Sequence, residues 1–138
     1  MIQRIQTLFL LLASGAGFGA LAVPFASGTG DGLFSDGVYM ANDHIAMIIG
    51  FAVAGALTLA AIFLYKTRKV QSRLAAFSAI ATLAVVGFGG WIYWKSGLVA
   101  TGWTLWVALP AVGVVLALLA RYYIGKDENL VRSMDRLR

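Results

Sequence analysis

Four long apolar runs, at about residues 5–26, 44–65, 74–94 and 103–123, constrain this chain more than any other feature. The first three carry no charge between their ends, and the fourth has only Arg121. At 1.5 Å per residue, a helix of ~20 residues crosses a hydrocarbon core of ~30 Å. Lipid offers the backbone no hydrogen-bond partners, so an apolar run of that length is read as a helix. The composition agrees: 60% of residues are hydrophobic, 12% are charged, and the mean hydropathy is +0.82. A soluble domain is about half apolar and about a quarter charged. The expected fold class is all-α, a four-helix transmembrane bundle forming one membrane domain over residues 1–138.

The stretch from Tyr65 to Arg73 sets the direction of these helices. Four of its nine residues, Lys66, Arg68, Lys69 and Arg73, are cationic and none is acidic. Lys and Arg in short loops stay on the cytoplasmic side. With both termini also cytoplasmic, ten of the eleven cationic side chains fall inside and only Lys95 lies outside. Trp91, Trp94, Trp103 and Trp106 then gather at the outer interface as an aromatic belt. The net charge of +5 is accounted for by orientation and anionic lipid, and nucleic acid is not an expected partner.

Gly15 and Gly19 form a G-x-x-x-G pair in the first run and are expected to face another helix. A signal peptide competes for the same segment, but the apolar run is longer than a usual h-region. Residues 27–43, rich in Gly and Asp, read as an outer loop. Asp31-Gly32 and Asp36-Gly37 are turn dipeptides there, and the EF-hand spacing is missing. Asp43 or Asn42 is expected to cap the second helix. Pro110 is expected to kink the fourth, by removing a hydrogen bond to Trp106.

The tail, residues 124–138, reads as a short amphipathic C-terminal helix. Leu130, Met134 and Leu137 share one face, while Glu128, Arg132 and Arg136 share the other with Arg138 at the end. Glu128 and Arg132 form a favourable i,i+4 pair. The candidate partner- or lipid-facing residues are therefore Lys66, Arg68, Lys69, Arg73, Arg132, Arg136, Arg138, Leu130, Met134 and Leu137.

Catalytic, cofactor and metal sites are not expected. The sequence has no cysteine and one histidine, His44, so it lacks the ligand sets for haem or zinc. Coupled transport normally uses an ionisable residue inside the membrane, which the first three runs do not supply.

Three stretches carry a resemblance. They are Met1-Ile-Gln-Arg-Ile-Gln-Thr-Leu-Phe-Leu-Leu-Leu-Ala13, Ile62-Phe-Leu-Tyr-Lys-Thr-Arg-Lys-Val-Gln-Ser-Arg-Leu74 and Lys126-Asp-Glu-Asn-Leu-Val-Arg-Ser-Met-Asp-Arg-Leu-Arg138. Together they resemble a family of small four-span membrane proteins of unknown function from Bacteroidota. The outer loop and third helix match it only in general character. The resemblance implies a bacterial inner (cytoplasmic) membrane and supplies no catalytic residue. The expected function is a non-catalytic accessory or structural subunit, or assembly factor, of a larger membrane complex. Its partners would be lipids and other membrane subunits, or further copies of itself. The alternatives are a small oligomeric channel or transporter, and a lipid- or quinone-contacting subunit beside a redox protein.

Overall fold

The computed structural model describes residues 2–29, 36–96 and 99–135. Four helices account for most of it: α1 (Ile2–Gly19), α2 (Ile45–Phe63), α3 (Arg68–Ser96) and α4 (Leu109–Asp135). Each packs on its two neighbours in the cyclic order α1-α2-α3-α4, so the chain runs up and down, with a short turn between α2 and α3 and longer connections at the opposite end. The segments Ile45–Phe63, Arg68–Ser96 and Leu105–Met134 are long and apolar enough to cross a membrane. By length and composition this is a membrane protein.

The first helix departs from expectation. It stops at Gly19 rather than near residue 26, and its apolar part, Ile5–Gly19, is about 22 Å long at the α-helical rise. The cause is local. Gly15, Gly17 and Gly19 weaken the helix, and Pro24 excludes helical backbone at the residue before it.

Beyond α1 the chain turns to β-structure, where the sequence reads as loop. β1 (Pro24–Gly28) pairs antiparallel with β2 (Val38–Met40) on one side and with β3 (Ala100–Trp103) on the other. This three-stranded sheet, ordered β2-β1-β3, lies across the end of the bundle where α1 and α3 finish. It supplies partners for backbone that no helix satisfies, a requirement that sharpens near lipid. Thr104 reinforces it, its N–H and hydroxyl both donating to the Phe25 carbonyl at 3.0 and 3.1 Å. The Asp36-Gly37 turn forms as expected, with Gly37 at φ +82° and Asp36 Oδ1 accepting from the Val38 N–H at 3.3 Å.

Four further expectations are corrected. The apolar run starts the fourth helix at residue 103, but Trp103 ends β3 and a 3-10 turn, Leu105–Ala108, precedes α4. Pro110 is thus the second residue of the helix, where its missing N–H costs nothing and no kink results. Asp43 does not cap α2. His44 stands at that position without a side-chain cap, and Asp43 Oδ2 instead accepts from the Met40 N–H at 2.6 Å. Finally, α4 continues unbroken to Asp135, so residues 124–135 extend the last membrane helix rather than forming a separate one.

The core is built from small residues. On α1 the buried face is Gln6, Leu10, Ala13, Ser14, Ala16 and Gly17, continued by Ala20 just past its end, which leaves Gly15 exposed on the opposite side. A Cβ on Gly15 would meet nothing within 4 Å, and one on Gly19 would touch only the Leu109 side chain, at 3.4 Å. The close approach falls on Gly17, where a Cβ would lie 3.0 Å from the backbone of Gly55 on α2. The Ser14 hydroxyl donates to the Gly55 carbonyl at 3.0 Å, and the Ser78 hydroxyl to the Ala54 carbonyl at 2.8 Å. These bonds tie α1 and α3 to the same turn of α2.

Candidate functional site

The up-and-down order brings the N-terminus of α1, the α2–α3 turn and the C-terminal half of α4 to one end. This basic end holds most of the polar residues singled out in the sequence. The turn is shorter than expected, because α3 begins at Arg68 rather than at residue 74. Lys66 is exposed in the turn, and Lys69 and Arg73 are exposed on the first turns of α3.

Arg68 is half-buried and pairs with Asp127 of α4, Nη2 to Oδ2 at 3.2 Å. Cations at a helix N-terminus oppose the helix dipole. An acid from the neighbouring helix beside Arg68 offsets that cost and pins the start of α3 to α4. The expected i,i+4 pair forms, Arg132 Nη2 lying 3.1 Å from Glu128 Oε1. Leu130 and Met134 stay exposed, at 44% and 62%. Arg136, Leu137 and Arg138 lie outside the described residues.

Below these charges the end is sealed by polar side chains. Gln6 and Gln71 are buried, and Gln6 Nε2 donates to the Tyr123 carbonyl at 3.0 Å. Phe9 stacks on Tyr123 with ring centroids 5.6 Å apart. Sequence reasoning misses Asp127 as the partner of Arg68. The one signal for it is an acid about one helical turn beyond Tyr123, on the helix that neighbours a basic helix start.

A second feature lies at the capped end. Phe25, Tyr39, Met47 and Phe51 form a buried cluster beneath the sheet. Beside it Gly89, Gly90, Tyr93 and Trp103 help to line an almost wholly apolar cavity of about 140 Å³. The Tyr39 hydroxyl in its wall is engaged, donating to the Gly89 carbonyl at 2.9 Å. Burial, with the nearby Asp43 charge adding to it, pushes the Tyr39 phenol up to about 12. All four tryptophans are at this end and half-exposed or more, with Lys95 Nζ 5.2 Å from the Trp91 ring centroid. His44 meets Phe88 edge to face, ring centroids 6.0 Å apart.

The fold and its ends define a small helical membrane protein with a charged end and an aromatic end. The chain belongs to the family described as "Domain of unknown function (DUF4293)", whose model matches residues 2–137. No curated protein and no solved structure matches it.

Proposed function

We propose that the protein is a non-catalytic accessory or assembly subunit of a larger bacterial inner-membrane complex, with both termini and the basic end in the cytoplasm. It docks its partner through the free end of α4. The observation that carries this reading is the unbroken run of α4 to Asp135 with Leu130 and Met134 exposed on it. That end extends about 20 Å past Arg121 at the helical rise. An amphipathic helix presented to a groove is an established mode of recognition. Being rigidly continuous with a membrane helix, it has already lost most of the freedom that association would remove. Fully burying each apolar side chain would contribute ~1.5–3 kcal/mol. Ten of the eleven cations fall on the cytoplasmic side in this orientation, as the positive-inside rule requires.

The test is affinity purification of the tagged protein from mild detergent, comparing the native chain with Leu130→Asp/Met134→Asp. The variant should still insert and accumulate but lose its co-purifying chains. Retention of the same chains, or loss of insertion itself, would overturn the docking role. The cavity at the capped end favours a second reading, a subunit that contacts hydrocarbon. Its apolar wall suits an alkyl chain better than the polar ring of a quinone.

A further inference from the structure

We propose that a groove between α3 and α4 at the basic end binds one anionic phospholipid, its phosphate held between Arg121 and Lys126. Two open grooves flank α4 here, and they differ in charge. One is lined by Lys66, Lys69, Arg132 and Glu128, with Arg132 paired to that acid and Arg68 paired to Asp127. The other is lined by Ser72 of α3 and by Leu118, Arg121, Gly125, Lys126 and Asn129 of α4, with no acid among its lining residues. Arg121 and Lys126 are in no ion pair among the described residues, and both are exposed.

The layout is set by helical spacing. At ~100° per residue, Leu118, Tyr122, Gly125 and Asn129 fall on one stripe, with Arg121 to one side and Lys126 to the other. A Cβ on Gly125 would meet nothing within 4 Å, so the stripe is open at its centre. Polarity changes along it over about 16 Å at the helical rise. Leu118 is apolar, the two cations stand at mid-height, and Asn129 and Ser72 offer hydrogen bonds. That is the order of tail, phosphate and headgroup in a glycerophospholipid. Arg121 also closes the apolar run of α4, so the cations sit where lipid phosphates lie and their stems cover apolar surface. Charge complementarity thus selects an anionic lipid, and the apolar foot of the groove selects a lipid over free phosphate. The stripe includes neither Leu130 nor Met134, so this site stands apart from the docking reading.

The test is native mass spectrometry of the delipidated, full-length protein with phosphatidylglycerol or phosphatidylcholine added. One phosphatidylglycerol should be retained in preference to phosphatidylcholine. Each cation near an anionic headgroup contributes roughly fivefold. Arg121→Gln/Lys126→Gln should therefore weaken retention by about 30-fold, and Lys66→Gln/Lys69→Gln by less than about twofold. Gly125→Leu, which leaves every charge in place, should also release the lipid by filling the groove. Circular dichroism confirms that each variant keeps its helices, and Arg121→Lys should restore most of the retention. Equal retention of both lipids by the native chain would overturn the proposal. So would equal losses in the two double variants, or full displacement of the lipid by inorganic phosphate.

Discussion

The two ends of the bundle meet the same demand in opposite ways. Each must satisfy backbone hydrogen bonds where the helices leave hydrocarbon. At the capped end α1 stops at Gly19 and three short strands take over, closed by Thr104 and floored with Phe25, Tyr39 and Phe51. At the basic end the helices run on, α3 starting at Arg68 and α4 reaching Asp135. The Arg68–Asp127 pair joins α3 to α4 there, and the Gln6 bond to the Tyr123 carbonyl joins α1 to α4, instead of strands. The capped end is therefore stabilised by burial, which the screening of charges does not weaken. The basic end relies on charges in or near water, which salt screens.

The largest expected effect tests the burial side. Phe51 is 1% exposed, and Phe51→Ala should cost ~3–5 kcal/mol, read as a drop in thermal stability in detergent. A loss below about 1 kcal/mol would mean that the aromatic cluster is not what closes that end.

Next comes the waist that both ends depend on. Gly17→Leu must push α1 away from Gly55 and should cost at least ~1–3 kcal/mol. Gly15→Leu projects away from the bundle and should not destabilise the monomer, gaining up to ~0.8 kcal/mol of helix propensity instead. A loss at Gly15 as large as at Gly17, accompanied by a fall in particle size, would place Gly15 in a contact between copies.

A smaller effect comes from Tyr39→Phe, which removes the bond to Gly89 and should cost ~0.5–1.5 kcal/mol. The same hydroxyl gives a pH signature. The folded state binds its proton more tightly than the unfolded chain, so the contribution is full below pH 10. It is lost as pH rises from 10 towards about 12. Alkaline unfolding curves of the native chain and Tyr39→Phe should converge across that interval.

The smallest effect belongs to the basic end. Asp127→Asn should cost ~0.2–1 kcal/mol at low salt and less at high salt, as partly exposed pairs do. An effect of several kcal/mol that ignores salt would erase the contrast between the ends.

Much of this architecture is legible in the sequence, for reasons that explain what is not. The apolar runs and the cations between them specify helix number, order and the basic end, because hydropathy and charge are properties of single segments. The Glu128–Arg132 pair is likewise local. The sheet is not legible, because its strands, such as Pro-Phe-Ala-Ser-Gly and Ala-Thr-Gly-Trp, are short and rich in small residues. The partners β1 and β3 also lie far apart along the chain. The packing face of α1 is hidden for a different reason. A run that is apolar all round conceals which side faces inward, and the G-x-x-x-G pair marks only part of that face, with Gly19 beside Leu109 of α4 and Gly15 turned away from the bundle. The face is set instead by Ala13, Ser14, Ala16 and Gly17, visible only once α2 is in place. The tail reads as separate because the charge pattern changes at Lys126, yet no glycine or proline after that point breaks the helix.

The pairing of β1 with both β2 and β3 has a consequence for biosynthesis. Residues 24–28 leave the ribosome together with a neighbour for one edge only, since β2 comes within about a dozen residues. The other edge must wait for residues 100–103, which arrive after two more membrane helices have been threaded. At a translation speed of ~5–20 residues per second, Phe25 and Ser27 keep a row of unpaired amides for several seconds. Closure of that row joins the segments that follow α1 and α3 while α4 is still to come, and a chain stalled before it displays an unfinished edge to any quality-control factor that reads one.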